Sequence, residues 1–515
     1  MEEKYIVALE IGSSKIKGAI GIVDSAGILS VKAVEEEKLT TDSVRYGRIC
    51  NVLETNTAIS KVISRLEQRE PQRKVRGVYV AIGGRSLMSQ TFDVERRLPV
   101  ESEILQDHIN DLLNEAHNQQ LHDRKIISVE PIEYRVDNVP TQRVVGMFGS
   151  QISARLNIIS CRNLIIRPLN AVLEKSPQLA INGYFVRHTA QADIVLHSED
   201  KMKGCMLVDF GADTTTVSIY KNGAMIYLVT IPIGSHHITR DITKLNYLES
   251  RAEDLKIQGG NAASTFDTAD RSNNVTGGFD YTAVNNYVSA RAGEIIANIN
   301  MQIKYAGLTP EQLPAGIILI GRGAKLTGFD RRLQTSTSLN VRIGTPFDRI
   351  HILDGRVNAA DHIDVISILS AAAKNSNGVK NCMERIVIEQ PAYVPPTQPL
   401  GQTTAASTAT TTAATATAQP EQPRQAAATV NPGYQPGGYV QEPAGRVQQQ
   451  SQSRYADDAS RIRKVDPADE NVEDDSYEPR KESPIRRTWK GLTRRLSDLL
   501  TEPVDDEDDD FDNQK

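Results

Sequence analysis

An α/β protein made of two related halves is what this sequence predicts, and three observations predict it. Ile6 to Val23, IVALEIGSSKIKGAIGIV, reads as two apolar strands joined by a glycine-serine turn with an acid at its entrance. The pattern returns at Leu207 to Tyr220, LVDFGADTTTVSIY, where Asp209 and Gly211 stand 199 positions after Glu10 and Gly12. Between the two, a β-rich start runs into a crossover helix and further strands, the order expected of a mixed α/β sheet.

The first turn has a specific chemical use. Gly12, Ser13 and Ser14 can offer a run of backbone N–H groups and hydroxyls to an anion, while Glu10 at the strand end could hold a metal-bound water. A glycine-serine turn is also an ordinary hairpin connection. The repeat makes the anion reading specific, because two such hairpins facing each other across a cleft would suit the phosphates of a nucleoside triphosphate.

The elements follow in order. Residues 1–84 carry the opening hairpin, a strand at Leu29 to Glu35, a helix at about Val52 to Glu70 and a strand at Gly77 to Ile82. Residues 85–164 change character: strand-like stretches at Ser89 to Asp93, Ile126 to Tyr134 and Ser150 to Ile159 surround a helix at Glu103 to Gln119, a small inserted α+β module. A helix at Arg162 to Ser176 follows, and Gly183 to Leu196 returns the chain to the first domain, so that 165–198 belongs with 1–84. The second domain, 199–389, opens with the repeated hairpin, whose next strand pair closes at Asn222-Gly223, a strong hairpin signal. A helix follows Pro232 and Gly234, with His236 and His237 read as its start. In the next helix, RAEDLKIQGG, Glu253 and Lys256 stand three apart on one face, a spacing that equally describes a surface ion pair. A long helix spans about Ala283 to Ala306. After it, AGIILIGRGAKL reads as a buried strand emptying into a Gly321-Arg322-Gly323-Ala324 turn that opens a helix, where amide groups could meet an anion or a ribose.

Charge and cysteine usage narrow the partners. The net charge of −6 argues against general nucleic-acid binding. Cys50, Cys161, Cys205 and Cys382 show no paired spacing, which suggests neither a zinc site nor a disulfide framework and fits a reducing cytoplasm. An acidic Met-Glu-Glu leads almost directly into a strand, so no signal peptide is expected, and no apolar run approaches the roughly 18 residues of a membrane span.

From about residue 390 to 482 the composition turns to Thr, Ala, Gln, Pro and Gly, which predicts a disordered linker, since it holds almost nothing to bury. About 90 such residues reach roughly 50 Å. Residues 483–501 then read as an amphipathic helix, with Ser483 as N-cap and Pro484 at its first position. Ile485, Trp489, Leu492, Leu496, Leu499 and Leu500 form one apolar stripe, and Arg486, Arg487, Lys490, Arg494 and Arg495 less Asp498 give the helix a net +4. That combination predicts an interfacial helix on anionic membrane lipid; a partner groove or a nucleic-acid patch is the alternative reading. Residues 502–515 are an acidic tail of net −7.

The order LEIGSSK, LVDFGADTT, AEDLKIQGG and LIGRGAKL resembles the actin, heat-shock ATPase and sugar-kinase superfamily, and the module at 85–164 makes the chain similar to the FtsA family of bacterial cell-division proteins. The resemblance covers about residues 4–385. It implies an actin-like two-domain ATPase fold around a cleft for ATP and Mg2+. Gly12, Ser13, Ser14 and Lys15 would meet phosphate from one side and Gly211, Ala212, Asp213, Thr214 and Thr215 from the other. Glu10 and Asp209 would hold the metal through water, Glu253 and Lys256 would flank ribose and adenine, and Gly321, Arg322, Gly323 and Ala324 would pack on the nucleoside. It also implies a peripheral place on the cytoplasmic side of the inner membrane at the division site. The implied partners are the tubulin-like FtsZ, further copies of the chain and downstream division proteins. The rival readings are a sugar-kinase-like phosphotransferase, a chaperone and a pilus-assembly protein.

Three departures from the family pattern bear on mechanism. The second turn has Ala212 and Asp213 where glycines are usual, Arg322 replaces a common glycine, and the late helix SILSAAAKN lacks a glycine. No carboxylate or glutamine stands out to orient an attacking water, so ATP binding with at most slow turnover is expected.

Overall fold

The computed structural model describes residues 3–386 apart from 41, 177–178, 264–274, 277–278, 348–349 and 376–377. The expected linker, amphipathic helix and acidic tail lie outside the described residues.

The opening hairpin forms the middle of a six-stranded sheet. Lys4–Ile11 pairs antiparallel with Lys15–Val23, and the sheet runs Ala180–Val186, Gly77–Ile82, Lys4–Ile11, Lys15–Val23, Leu29–Lys38, His351–Ile352. Both hairpin strands are buried along most of their length, as near-continuous apolar strands covered on two faces must be. Two glycines show how close the covering helices come. A Cβ on Gly18 would lie 2.5 Å from Val62 of the helix Val52–Arg69, and one on Gly21 would lie 3.3 Å from Leu369 of the helix Ile363–Ala373. Three positions apart on a strand, the two glycines face opposite sides. The helix Val52–Arg69 forms because Thr55, Ala58, Ile59, Val62 and Leu66 make one buried stripe, with the Asn51 side chain accepting the Glu54 amide at its start.

A second sheet is built around Cys205–Phe210, which is buried throughout. It pairs antiparallel with Thr215–Lys221 and parallel with Ile317–Ile320. Asn222 (φ 54°) and Gly223 (φ 85°) make the left-handed two-residue turn into Ala224–Ile231. The helices Ser235–Thr243, Thr282–Tyr305 and Phe329–Thr337 contribute Ile238, Ile242, Ile295, Ile299 and Leu333 to a core of its own.

The inserted module has a third core, with Val94, Leu112, Ile152 and Leu156 buried between the helix Gln106–His117 and the long strands Met88–Glu103, Arg124–Val136 and Phe148–Arg162. The helix is shorter than expected because Glu103 still pairs with Phe148 as the end of a strand. Although the module interrupts the first domain in sequence, its sheet continues the second: Met88 pairs with Val229, the Leu228 amide donates to Ser89 Oγ at 2.9 Å and Asn157 Nδ2 donates to the Met225 carbonyl at 2.9 Å.

The second domain does not extend to residue 389 as the sequence suggested. His351–Ile352 pairs with the strand Leu29–Lys38, Ile363–Ala373 packs on the opening hairpin, and Met383–Arg385 pairs with Arg73–Val75. The helix explains the return. Ile363, Val365, Ile366, Ile368, Leu369 and Ala372 are all buried, and a helix apolar nearly all round needs cover on two sides, here from the hairpin and the helix Arg187–Val195.

Candidate functional cleft

The two glycine turns are the same structure built twice. The Gly12 amide donates to the Lys15 carbonyl at 3.0 Å, and the Gly211 amide to the Thr214 carbonyl at 2.9 Å, with both donor and acceptor displaced by 199 positions. A Cβ on Gly12 would sit 3.0 Å from that carbonyl oxygen and one on Gly211 2.9 Å, so each glycine is required by its own turn. The Gly12 and Gly211 amides are thereby taken. An anion would depend on Ser13 and Ser14 on one side and on Ala212 and Thr214 on the other; the expected Thr215 is fully buried and its Oγ1 donates to the Ile233 carbonyl at 2.7 Å.

Both turns reach one cavity. Glu10, Gly12 and Ser13 line it with Gly83, Arg187 and Thr214, and its volume is about 40 Å³. The lining chemistry, with serine and threonine hydroxyls and a guanidinium, fits a polyphosphate.

Several of the expected site residues hold the halves together instead of standing free. Arg187, at the first position of its helix, donates from Nη1 to Glu10 Oε1 at 2.9 Å, and its Nη2 lies 3.3 Å from Asp209 Oδ2. The expected pair of metal-holding acids is therefore bridged by a guanidinium. Glu10, 4 % exposed, has its pKa raised by burial and by the nearby Asp364 carboxylate, against the pull of Arg187 and Lys17. Lys17 bonds Asp364 at 2.5 Å and the Asp361 carbonyl at 3.1 Å, so a buried charge network underlies the first turn. Gln191 Nε2 donates to Asp209 Oδ2 at 3.2 Å, and its Oε1 is buried with no partner among the described residues.

Lys15 faces Glu36, not open space: its Nζ lies 2.7 Å from Glu36 Oε1, and Arg322 Nη2 lies 3.0 Å from Glu36 Oε2. Arg322 thus ties the third loop to the first sheet, and Lys325 pairs with Asp361 beside it. Asp213 is not an unpaired carboxylate facing phosphate. Its Oδ2 accepts the Tyr46 amide at 3.1 Å and its Oδ1 meets His236 Nδ1 at 3.2 Å, while His236 Nε2 contacts Glu249. Burial works to raise the Asp213 pKa, but these partners and the Ser13 hydroxyl bring it below its ordinary value.

Glu253 and Lys256 form an ion pair at 2.7 Å, and Lys256 Nζ also donates to Thr239 Oγ1 at 2.9 Å and to the Ser235 carbonyl at 3.2 Å. They brace the helix that follows the second turn. The third loop also differs from expectation: Arg322–Lys325 is a short 3-10 turn, and the α-helix begins only at Phe329 after Gly328 (φ 75°). Gly321 takes φ 90°, and a Cβ there would strike the Phe210 carbonyl at 2.5 Å and Asp209 Oδ1 at 2.6 Å, so this loop packs directly on the strand end that carries the second acid. Gly323 lies on the Phe210 ring with Ala324 next to it. Sequence reasoning also missed Gly234, whose Cβ would come 2.2 Å from the Ala212 carbonyl oxygen. For Arg187 the available signal was a lone charge at the junction of an apolar strand and a mostly apolar helix.

Two α/β sheets, each opened by the same acid-glycine turn and facing each other over one cavity, define an actin-like two-domain ATPase fold. The PilM-PilN type IV pilus biogenesis complex contains a chain with this architecture: TM-score 0.53, 14% identity, covering 72% of this chain and 98% of that one. Residues 206–418 match the model described as cell division protein FtsA, and residues 84–160 match that of the SHS2 domain inserted in FtsA, together more than half of the chain. The chain belongs to the FtsA family of cell-division proteins. It is 27% identical to the cell division protein FtsA of Porphyromonas gingivalis over 71% of this chain and 78% of that protein. It is 26% identical to that of Neisseria meningitidis serogroup B over 72% of this chain and 91% of that protein. Among the described residues no helix is long and apolar enough to cross a membrane.

Proposed function

We propose that this protein binds ATP in the cleft between its two glycine turns and attaches filaments of FtsZ to the cytoplasmic face of the inner membrane at the division site. The observation that carries the nucleotide reading is the repeated turn, with the same hydrogen bond on both sides of one cavity. Ser13 and Ser14 would hold the phosphates from one side and Ala212 and Thr214 from the other, with Lys15 and Arg322 able to turn from Glu36 toward the added negative charge. ATP would supply binding energy that draws both halves onto one ligand. Residues Glu253 and Lys256 and the Gly321–Ala324 loop remain the proposed nucleoside side of the cleft. Turnover is slow on this reading, because no carboxylate or glutamine of the sequence motifs stands out to orient an attacking water.

The attachment function rests on the family and on residues 483–501. One interfacial helix is a modest anchor, since its basic side chains contribute at most about 1 kcal/mol each near anionic lipid. Self-association would multiply such helices along a filament and convert weak attachment into avidity. Downstream division proteins would then assemble on the same membrane-bound filament. Co-sedimentation of FtsZ with anionic vesicles tests this. The full chain should carry FtsZ into the vesicle pellet, and a chain ending at residue 482 should not. Equal recovery of FtsZ with both chains would contradict the role given to the helix.

A further inference from the structure

The place between Glu10 and Asp209 is where a divalent ion would act in an ATP site, and here it is filled by the side chain of Arg187. The guanidinium contacts Glu10 at 2.9 Å and Asp209 at 3.3 Å, with the two acids only 4 % and 6 % exposed. Its planar fork suits two carboxylates at once. Among the described residues no other cation serves the pair equally: Lys17 bonds Asp364, and Gln191 brings Asp209 a neutral amide. Arg187 is also firmly placed. Its guanidinium lies against Gly83, where a Cβ would come 3.4 Å from Cζ and 3.5 Å from Nε.

We propose that Arg187 is the resident cation of the cleft, and that this chain therefore binds nucleoside triphosphate without a divalent ion. The proposal rests on the nucleotide reading given above. A magnesium ion keeps several waters in a near-octahedral shell, and a shell held by Glu10 and Asp209 would have to displace the guanidinium that already pairs with both. Displacement would leave a partly buried arginine without its two nearest counter-charges, which is unfavourable. Arg187 Nε is buried with no partner, so the same group keeps one N–H that a phosphate oxygen could accept. With Lys15 and Arg322 meeting at Glu36, the chain itself supplies three cations around the first turn and the third loop.

Calorimetric titration of the full chain with ATP, in excess magnesium and in EDTA, tests the proposal. The two dissociation constants should agree within about threefold, and Arg187→Gln should bind only with magnesium, weakening about tenfold or more in EDTA. Arg187→Lys, which keeps a cation, should retain binding in EDTA and serves if the glutamine variant does not fold. A natural chain that loses ATP affinity tenfold or more in EDTA would overturn the proposal while leaving the nucleotide site in place. Undiminished binding by Arg187→Gln in EDTA would overturn it as well. No binding by the natural chain in either buffer would overturn the nucleotide reading and this proposal together.

Discussion

The Tyr46 amide donates to the Asp213 carboxylate at 3.1 Å, joining a loop of the first half to the second glycine turn. The other Asp213 oxygen meets His236, and Tyr46 Oη lies 3.3 Å from His237 Nε2 in the same seam. A carboxylate in the phosphate-facing turn thus acts as a tie between the halves. Asp213→Asn removes the charge that strengthens these bonds and should lower stability by about 1–3 kcal/mol. Urea unfolding with an unchanged midpoint would show that the tie contributes nothing.

The same seam gives a pH dependence with a definite sign. The hydrogen bond to Asp213, then that to Glu249, raises the His236 pKa against the opposing effect of burial. A group whose folded pKa is raised stabilises most below its unfolded value, near 6.5, and that contribution is lost as pH rises through the folded value. His188, pushed down to about 4 by burial, acts oppositely and loses its contribution as pH falls below 6.5. The comparison must therefore be with a variant. The melting temperature of the natural chain should exceed that of His236→Gln by more at pH 6 than at pH 8.5, and an equal difference at both would refute the assignment.

Gly234 supports the second turn from behind. A methyl group there would meet the Ala212 carbonyl oxygen at 2.2 Å and the Thr214 amide nitrogen at 2.7 Å, both backbone atoms. Gly234→Ala should cost about 1–3 kcal/mol through overpacking and weaken ATP binding through the displaced turn. Calorimetry giving natural affinity for this variant would separate the turn from the ligand.

The acidic tail yields a prediction from sequence alone. Residues 483–501 carry +4 and residues 502–515 carry −7, so the tail more than cancels the basic stretch before it. Deleting residues 502–515 should strengthen binding of the monomer to anionic vesicles, most at low salt, where screening is weakest. Vesicle binding unchanged by the deletion at low ionic strength would make the tail a solvating extension only.

The parts of the cleft legible in the sequence are those whose causes are local. An acid, one spacer and a glycine between alternating apolar strands specify a turn within a dozen residues, and both turns formed as read. Arg187 was not legible because its partner Glu10 lies 177 positions away and its other partner is on the second sheet. The meeting of Lys15 and Arg322 at Glu36 was not legible either, because nothing near Lys15 in sequence reveals the other two as neighbours. The return of residues 351–386 to the first sheet was hidden for a different reason. A two-residue strand carries no period, and the helix Ile363–Ala373 is buried too evenly to show which element it joins. The third loop misled through its glycines, since Gly321 and Gly323 serve packing against Phe210 and open a 3-10 turn, with the α-helix starting four residues beyond it.

Hydrogen exchange with and without ATP tests the central claim most directly, because it reads both turns in one experiment. A nucleotide held between them should slow amide exchange in residues 10–17 and in residues 209–216 together. Protection confined to one turn, or absent from both at saturating ATP, would contradict a shared site.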